Sequence, residues 1–137
     1  MTTTEEKPPA VRMGIQPGQM VQEVGYDDDV DQDVRAGIEE VTGSALVGED
    51  HVAPADVVVL WFREDDGDLT NALTDASQGL EDDGAIWLCT PKSGRDGYVD
   101  PSDIGEAATS AGLARTTSVS VAPDWSGNRM VSPKTRR

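Results

Sequence analysis

Two apolar runs in which hydrophobic and polar residues do not alternate limit what this chain can fold into. They lie at residues 56–62 and 84–89, and each is long enough for one strand. A strand with one solvated face alternates between apolar and polar residues, whereas a strand covered on both faces does not. Between the runs, residues 68–80 place leucines and alanines at helical spacing. Strand, helix and strand in this order predict a parallel pair within a sheet that carries helices on both faces.

The segment before the first run adds a strand and a helix. Residues 19–24 alternate and are predicted to form a strand that ends at Gly25. Residues 27–42 carry valines and one isoleucine at spacings of 4, 4 and 3, which predicts a helix with one apolar stripe. Gly43 ends this helix, and residues 44–47 form either a short strand or an extended connection.

The segment after the second run closes the sheet. Asp100 and Pro101 are typical of a helix N-cap and first helical position, so a third helix begins there. Residues 116–121 and 129–131 are the last predicted strands, and a loop at 123–128 joins them. The final strand follows a short turn and should therefore run antiparallel. We predict a three-layer α/β fold with a mostly parallel sheet of about five strands and an antiparallel last strand.

Length and residue usage predict one cytoplasmic domain. A single domain is expected at 12–133, between a disordered tail at 1–11 and a short basic tail at 134–137. No apolar run is long enough to cross a membrane, and the N-terminal segment lacks the apolar stretch of a signal peptide. We interpret the only cysteine, Cys89, as a small buried hydrophobe and the only histidine, His51, as a solvated loop residue.

The charge of the chain restricts its partners. Acidic residues outnumber basic ones 26 to 11, which gives a formal net charge of −15. Such a chain is repelled by nucleic acids and by anionic membranes, and it attracts a protein with a basic surface. Two alternatives stay open at this point. The charge serves solubility alone, or the chain is an acidic mimic that occupies a nucleic-acid site on another protein.

The candidate binding residues follow the predicted strands at their carboxyl ends. In an open parallel sheet these ends form one edge, and ligands bind there. Trp125 is expected to be exposed at this edge, and tryptophan and arginine dominate binding hot spots. Each residue also has a simpler interpretation as a helix cap or turn residue. The predicted partner- or ligand-binding residues are Gly25, Tyr26, Asp27, Asp28, Asp29, Asp65, Asp66, Lys92, Ser93, Arg95, Asp124, Trp125 and Arg129.

Two ion-binding patterns are weak. Val34 replaces the turn glycine of a calcium-binding loop, and the helical stripe opposes a loop, so no metal site is predicted. Residues 92–95 offer backbone amides to a phosphate, but a flexible loop whose cations balance nearby carboxylates is the favoured interpretation. The carboxylates with calcium-loop spacing are Asp29, Asp31, Asp33 and Glu40.

Three segments resemble class I S-adenosylmethionine-dependent methyltransferases. Residues 16–25 are similar to the lead-in to their first strand, residues 84–88 to their fifth strand, and residues 104–113 to their late helix. The resemblance implies a Rossmann-like sheet. The chain from Gly14 to Lys134 also resembles a family of small acidic actinobacterial proteins of unknown function, which implies no activity. That second resemblance is carried by residues 14–18, 87–92 and 124–127.

Departures from the methyltransferase pattern argue against catalysis. A methyltransferase needs a glycine-rich loop after its first strand, whereas here Gly25 is followed by Tyr26 and three aspartates. Only 30 residues separate Gly25 from Asp56, which leaves no room for two more complete strand–helix units. The acidic residue that would hold a ribose is expected to be missing with them. We therefore predict no catalytic residues, no cofactor and no enzymatic activity.

The leading functional hypothesis is a non-catalytic interaction or regulatory domain that binds a protein through the strand-end edge in a salt-sensitive way. The first alternative is a domain that holds an adenosine-type or anionic ligand near Gly25 and Lys92, and the next is a methyltransferase subunit. A monomer or a homodimer is expected. The homodimer would form by pairing of an exposed edge strand at residues 19–24.

Overall fold

The computed structural model describes residues 8–50 and 54–133. This part of the chain contains four helices and five strands. A short 3-10 turn at Glu64–Asp66 follows the second strand. In chain order the elements are α1 (Pro9–Arg12), β1 (Val21–Val24), α2 (Gln32–Thr42), β2 (Ala55–Trp61), α3 (Leu69–Gln78), β3 (Leu80–Pro91), α4 (Pro101–Ser110), β4 (Ala114–Ser120) and β5 (Trp125–Val131).

The strands form one sheet in the order β1-β2-β3-β5-β4. β1, β2 and β3 run parallel, while β5 pairs antiparallel with both β3 and β4. β4 therefore points the same way as the first three strands, and four strands end at one edge. The connection between β4 and β5 spans only residues 121–124, which is too short for a parallel crossover. The predicted fold class is confirmed.

Both faces of the sheet are covered, which explains the apolar runs without alternation. In β2, Val59 and Trp61 belong to a core with residues of α1 and α2. Val58 and Leu60 point to the opposite face and belong to a core with residues of α3 and α4. Because successive side chains of a strand alternate between faces, each apolar side chain is buried on one side or the other. Each contributes about 1.5–3 kcal/mol relative to an exposed position.

Aspartates cap three of the helices. Each side chain accepts a hydrogen bond from a backbone N–H of the first helical turn, where the helix dipole also favours a negative charge. α2 begins at Gln32 rather than at residue 27 as predicted, because Asp31 is its cap and residues 27–31 form an irregular turn. The three caps and their donors are Asp31 with Val34, Asp68 with Thr70, and Asp100 with Ser102.

The folded part of the chain begins earlier than predicted. Residues 1–11 are expected from their composition to be a disordered tail, but Pro9–Arg12 forms α1 and Ala10 is fully buried. Ala10 and Met13 insert into the core beneath α2, and a polar segment with two small contacts of this kind carries little sequence signal. Residues 1–7 of the predicted N-terminal tail, the basic tail at 134–137 and His51 lie outside the described residues.

The outer edge of β1 is already paired. Val47 forms a parallel bridge with Gln22. The N–H of Glu23 donates to the Val47 carbonyl at 2.8 Å, and the N–H of Val47 donates to the Val21 carbonyl at 3.0 Å. Residues 44–47 thus supply the beginning of a further strand. The open edge on which the predicted homodimer depends is absent at this position, and the homodimer itself stays a prediction.

No helix within residues 8–50 and 54–133 is long and apolar enough to cross a bilayer.

Candidate functional site

The carboxyl ends of β1, β2, β3 and β4 meet at one edge of the sheet, as the sequence predicts. We call this the strand-end edge. Its loops are residues 25–31, 62–68, 92–99 and 121–124. All predicted binding residues except Arg129 and Trp125 lie in these loops. Arg129 lies within β5 opposite Trp87, where its guanidinium donates to the Thr116 hydroxyl at 3.1 Å, so it does not belong to the edge.

Arg63, which sequence reasoning did not select, lies at the β1–β2 end of the strand-end edge. Its Nη1 donates to the Gly25 carbonyl at 2.8 Å and to the Trp61 carbonyl at 3.2 Å. Its Nε donates to Asp29 Oδ2 at 3.1 Å, and Nη2 donates to the other oxygen of the same carboxylate. Asp66 Oδ2 lies 3.3 Å from Nη1. The side chain is 11% exposed. Because it contacts residues of both strands, it spans the crevice between the ends of β1 and β2.

The electrostatics of this crevice follow from these contacts. The hydrogen bond from Arg63 holds the pKa of Asp29 below its ordinary value. Burial acts to lower the pKa of Arg63, but its hydrogen bonds and charge interactions with Asp29 and Asp66 outweigh burial and raise it. Arg63 is therefore a permanent cation, and its charge is matched by carboxylates of the same chain.

Trp125 is buried, so its predicted exposure is wrong. It is the first residue of β5, its exposure is 4%, and its ring meets Trp61 edge-to-face with centroids 4.9 Å apart. Its Nε1 donates to the Asp29 carbonyl at 3.2 Å. The guanidinium carbon of Arg63 lies 5.3 Å from the centre of the Trp125 ring. Trp125 therefore forms the floor under Arg63 and cannot act as an exposed hot spot.

Gly25 is required by the approach of two strands. Its φ is +84°, and a Cβ at this position would lie 2.2 Å from the Trp61 carbonyl oxygen. No other residue fits this contact without movement of the backbone. Its N–H donates to Glu49 Oε2 at 2.8 Å. The glycine that resembles a cofactor loop therefore has a packing role in this chain.

A second polar network, also missed from the sequence, lies behind Gly25. Glu23 is buried and accepts from Arg35 Nε at 2.7 Å and Nη2 at 3.0 Å. It also accepts from Trp61 Nε1 at 2.9 Å. The hydrogen bond with Glu23 raises the pKa of Arg35, whose guanidinium carbon lies 4.6 Å from the centre of the Tyr26 ring. Alternation alone shows which residues of β1 point inward, but it does not show that a charged one has a partner.

An acidic surface surrounds the Arg63 crevice. We call it the acidic rim, and its members are exposed and lie at the ends of β1 and β2. Tyr26 is 51% exposed, and its hydroxyl accepts from Gln32 Nε2 at 3.3 Å. Within the described residues, none of the carboxylates of the rim forms an ion pair. The acidic rim consists of Tyr26, Asp27, Asp28, Glu64 and Asp65.

The other end of the edge, after β3 and β4, is locally neutral. Arg95 Nη1 lies 3.0 Å from Asp124 Oδ1, and both side chains are more than half exposed. Lys92 donates to the Ser120 hydroxyl, while Ser93 is exposed. These contacts agree with the interpretation of residues 92–95 as a loop whose cations balance carboxylates. The edge therefore has an acidic end and a neutral end rather than one continuous charged face.

The remaining candidates have structural roles. Asp31 is a helix cap, and Asp33 and Glu40 lie on α2, which does not wrap around an ion. Within residues 8–50 and 54–133 no group of three metal-ligating side chains is close enough for an ion. Cys89 is fully buried, and burial raises the pKa of its thiol to about 12. A thiol of this kind is not a nucleophile at neutral pH.

A shallow cleft of about 340 Å³ lies beside Gly25 on the α3 side of the sheet. Glu49 is part of its wall, two residues beyond the bridge between Val47 and β1. In the methyltransferase pattern an acidic residue follows the second strand, and the Val47 fragment takes the place of that strand here. The sequence was expected to lack this acidic residue. A signal was available, since Glu49 follows Gly25 by 24 positions, close to the spacing in dinucleotide-binding folds. The side chains around the cleft include Tyr26, Asp27, Glu49, Phe62, Arg63 and Asp66.

The chain belongs to a family of proteins of unknown function, DUF3052, whose pattern matches residues 10–134. It is 50% identical over 127 residues to the uncharacterized protein Rv2239c of Mycobacterium tuberculosis, covering 93% of this chain and 80% of that protein. The uncharacterized protein Mb2263c of Mycobacterium bovis matches equally well. The predicted membership in a family of unknown function is confirmed, and the relatives carry no assigned activity.

Solved structures similar to this fold are methyltransferases. The O-methyltransferase NcsB1 from neocarzinostatin biosynthesis, in complex with S-adenosyl-L-homocysteine, superposes with a TM-score of 0.64 at 14% identity, over 85% of this chain. This chain spans half of that protein, 50% of its length. The CcbJ methyltransferase from Streptomyces caelestis gives a TM-score of 0.59 at 9% identity, over 92% of this chain and 88% of that one. At such identities the likeness establishes a methyltransferase-like fold and nothing about activity.

Proposed function

We propose that this chain is a non-catalytic binding domain that holds a protein with a basic surface at the acidic rim. The observation that carries the proposal is the position of Arg63, whose guanidinium spans the crevice between the ends of β1 and β2. In open α/β sheets that crevice is where a nucleotide-type cofactor lies. Here a side chain of the protein and its carboxylate partners occupy it, which supports a role without a cofactor.

The acidic rim supports a basic protein as the partner. Its carboxylates belong to a chain with a net charge of −15 and form no ion pair among the described residues. Clustered like charges repel one another, so a cationic surface that covers them gains favourable Coulomb energy and a faster encounter. Tyr26 adds an exposed ring to the same surface, and tyrosine is enriched at binding hot spots.

Rigidity of the surface beneath the rim also supports binding. Tyr26 packs over Arg35, which is held by Glu23, and Arg63 is held by Asp29 and Asp66. A surface whose supporting side chains are already fixed loses less conformational entropy when a partner binds.

The proposal is tested by affinity capture with the tagged domain from extracts of its source organism at about 50 and 200 mM salt. A partner captured in stoichiometric amount at low salt and released at higher salt supports it. Charge reversal of Asp27 and Asp28 to lysine should abolish capture. The matched control reverses Asp82 and Asp83, an exposed acidic pair at the start of β3 near the opposite edge. Capture that is equal in both double variants would exclude the acidic rim as the binding surface.

A small-molecule role in the cleft beside Gly25 is the second candidate, and one observation favours it. Glu49 follows the strand fragment that pairs with β1 and lies 2.8 Å from the Gly25 nitrogen. In dinucleotide-binding folds an acidic residue at this place binds the ribose hydroxyls. One oxygen of Glu49 is already used by Gly25, which leaves the other for a ligand.

Titration with S-adenosylmethionine, followed through the amide signals of the domain, tests this candidate. Saturable shifts around Gly25 that disappear in a Glu49→Gln variant would favour an adenosine-type ligand. A flat titration up to millimolar concentration would remove the candidate and leave the protein-binding proposal untouched.

A further inference from the structure

We propose that a polar cleft between α4 and the β4–β5 hairpin binds a small oxyanion, the carboxylate or phosphate group of a compact ligand. The cleft has a volume of about 370 Å³ and lies on the α4 face of β3, β5 and β4. It is separate from the acidic rim, which lies at the β1–β2 end of the sheet. Its polar wall consists of Thr90, Tyr98, Arg115, Ser118, Ser126 and Asn128.

The charge of this cleft differs from that of the rest of the protein surface. The chain has 26 acidic residues, yet none of those within residues 8–50 and 54–133 lines this cleft. Four other clefts formed by the described residues are each lined by at least one carboxylate. Asp100 is close in sequence to the wall residue Pro101, but its carboxylate accepts from the N–H and the hydroxyl of Ser102. The cleft is therefore a surface free of carboxylates on a strongly acidic protein.

One cation at the wall of the cleft is not used by the fold. Arg115 lies in β4 and is exposed at the wall of the cleft. In the part of the chain that the structure describes, its guanidinium has neither an ion pair nor a hydrogen bond. Arg35 and Arg63, by contrast, are each held by carboxylates. A guanidinium presents a planar fork of donors that matches an oxyanion.

Two buried polar side chains of the wall have hydrogen-bonding groups without a partner among the described residues. Thr90 is 2% exposed, and its hydroxyl has no partner among the described residues. Asn128 is 7% exposed; its Oδ1 accepts from the Ser118 hydroxyl at 2.7 Å, but its amide nitrogen has no partner in the same part of the chain. Buried polar groups are normally satisfied, so these two side chains are available to hydrogen-bond a ligand that enters the cleft.

Strand register places these donors on the same face of the sheet. Thr90 pairs with Ser126 across β3 and β5, and Asn128 pairs with Ser118 across β5 and β4. Arg115 pairs with Met130, two positions further along β5, and therefore lies on the same face as Asn128. Hydroxyls, an amide N–H and a guanidinium from three neighbouring strands thus line one face of the sheet along the cleft.

The donor set selects an oxyanion over other ligands. Metal cations in proteins are usually held by carboxylates, imidazoles or thiolates, and the described residues of the cleft wall include none of these. The N-terminus of α4 adds no donor, because Pro101 lacks an N–H and Asp100 already caps the next residue. The apolar part of the wall includes Val99 and Ile104, so a compact ligand with one charged group and a small hydrocarbon body fits the surface.

The test is a titration of the full chain with inorganic phosphate and with malonate at constant ionic strength, followed through amide signals. Saturable shifts at Thr90, Arg115 and residues 126–128 support the site. Saturation by phosphate alone assigns a phosphoryl group, and saturation by malonate alone assigns a carboxylate. If the shifts saturate with neither phosphate nor malonate, the site holds an adventitious ion only, and this result overturns the proposal.

Two arginine variants test whether the bound anion lies at this cleft. Arg115→Gln should weaken binding by about tenfold or more, since it removes a charge-assisted hydrogen bond. Arg129→Gln is the matched control, because Arg129 is adjacent on β5 but lies on the opposite face of the sheet. Equal binding by both variants overturns the proposal.

Thr90→Val separates binding from folding. An unpartnered buried hydroxyl opposes folding, so valine should leave the melting temperature unchanged or raise it. The same change should weaken binding of the probe. A lowered melting temperature together with unchanged binding would show that Thr90 serves the core and would overturn its role as a donor.

Discussion

Replacement of Arg63 by methionine is expected to lower the free energy of unfolding by about 3 kcal/mol. Methionine keeps a long apolar side chain over Trp125 but donates no hydrogen bond. The carbonyls of Gly25 and Trp61, at 2.8 and 3.2 Å, lose a donor in a mostly buried crevice, at a cost of about 1 kcal/mol each. Asp29 and Asp66 have side chains that are 56% and 38% exposed and can rehydrate, so each adds only about 0.5 kcal/mol.

Urea denaturation followed by tryptophan fluorescence measures this change, because Trp61 and Trp125 pack against each other beside Arg63. For a domain of this size the urea m-value is about 1–2 kcal/mol/M, so the midpoint should fall by roughly 2 M. Arg95→Met is the matched control, since its pair with Asp124 is exposed and contributes about 0–1 kcal/mol. Equal stability of the two variants would refute the view that Arg63 holds the strand-end edge together.

The stability loss caused by Arg63→Met should depend on pH. Asp29 has a folded-state pKa below its ordinary value because Arg63 hydrogen-bonds to it. A depressed carboxyl pKa stabilises the fold above the unfolded pKa of about 3.9, and the contribution is lost as pH falls through the folded-state pKa. The stability difference between wild type and Arg63→Met should therefore narrow below about pH 4. A difference that is constant from pH 3 to 7 would contradict this assignment.

Two further predictions concern backbone packing and thiol chemistry. Gly25→Ala should destabilise the domain by about 3 kcal/mol or more, because the new Cβ would lie 2.2 Å from the Trp61 carbonyl, whereas Gly94→Ala, at a similar φ of +88° with open space around it, should cost only about 1–2 kcal/mol. Equal urea midpoints for the two variants would contradict the packing role of Gly25. The Cys89 thiol, fully buried and with its pKa raised to about 12, should react with a thiol reagent at pH 8 only at the rate of unfolding; rapid reaction in native buffer would show that β3 opens locally.

The fold could be predicted because its signals are local. The apolar runs in β2 and β3 show that both faces of the sheet are covered, and the Asp100 cap followed by Pro101 marks the start of α4. The strand-end edge then follows from topology, since the loops after parallel strands meet at one edge. No contact needs to be known for either conclusion.

Trp125 could not be placed correctly from the sequence. The residues around it, 123–128, are rich in turn formers, which predicts a loop. In the structure, pairing with β3 and β4 outweighs this local preference, and β5 begins at Trp125 itself. Strand preference depends strongly on neighbouring strands, so tertiary pairing decides such cases.

Arg63 could not be recognised because its role depends on distant partners, and the only sequence signal for Glu49 is its spacing from Gly25. Arg63 reaches back to Gly25, 38 positions earlier in the chain, and Glu49 reaches the same residue across 24 positions. Val47, which positions Glu49, belongs to a single bridge and leaves no periodic pattern. The acidic run after Gly25 indicated a charged edge, but only the structure separates Asp29, which holds Arg63, from Asp27 and Asp28 in the acidic rim.

The salt dependence of partner binding is the sharpest test of the proposal that a basic protein binds at the acidic rim. The dissociation constant of the captured partner would be measured at several salt concentrations for wild type, for Asp27→Lys/Asp28→Lys and for the control Asp82→Lys/Asp83→Lys. Binding through the acidic rim predicts that affinity falls with salt in wild type and control, and that the first variant loses most of the affinity and of its salt dependence. The same affinity and the same salt dependence in all three proteins would contradict the account.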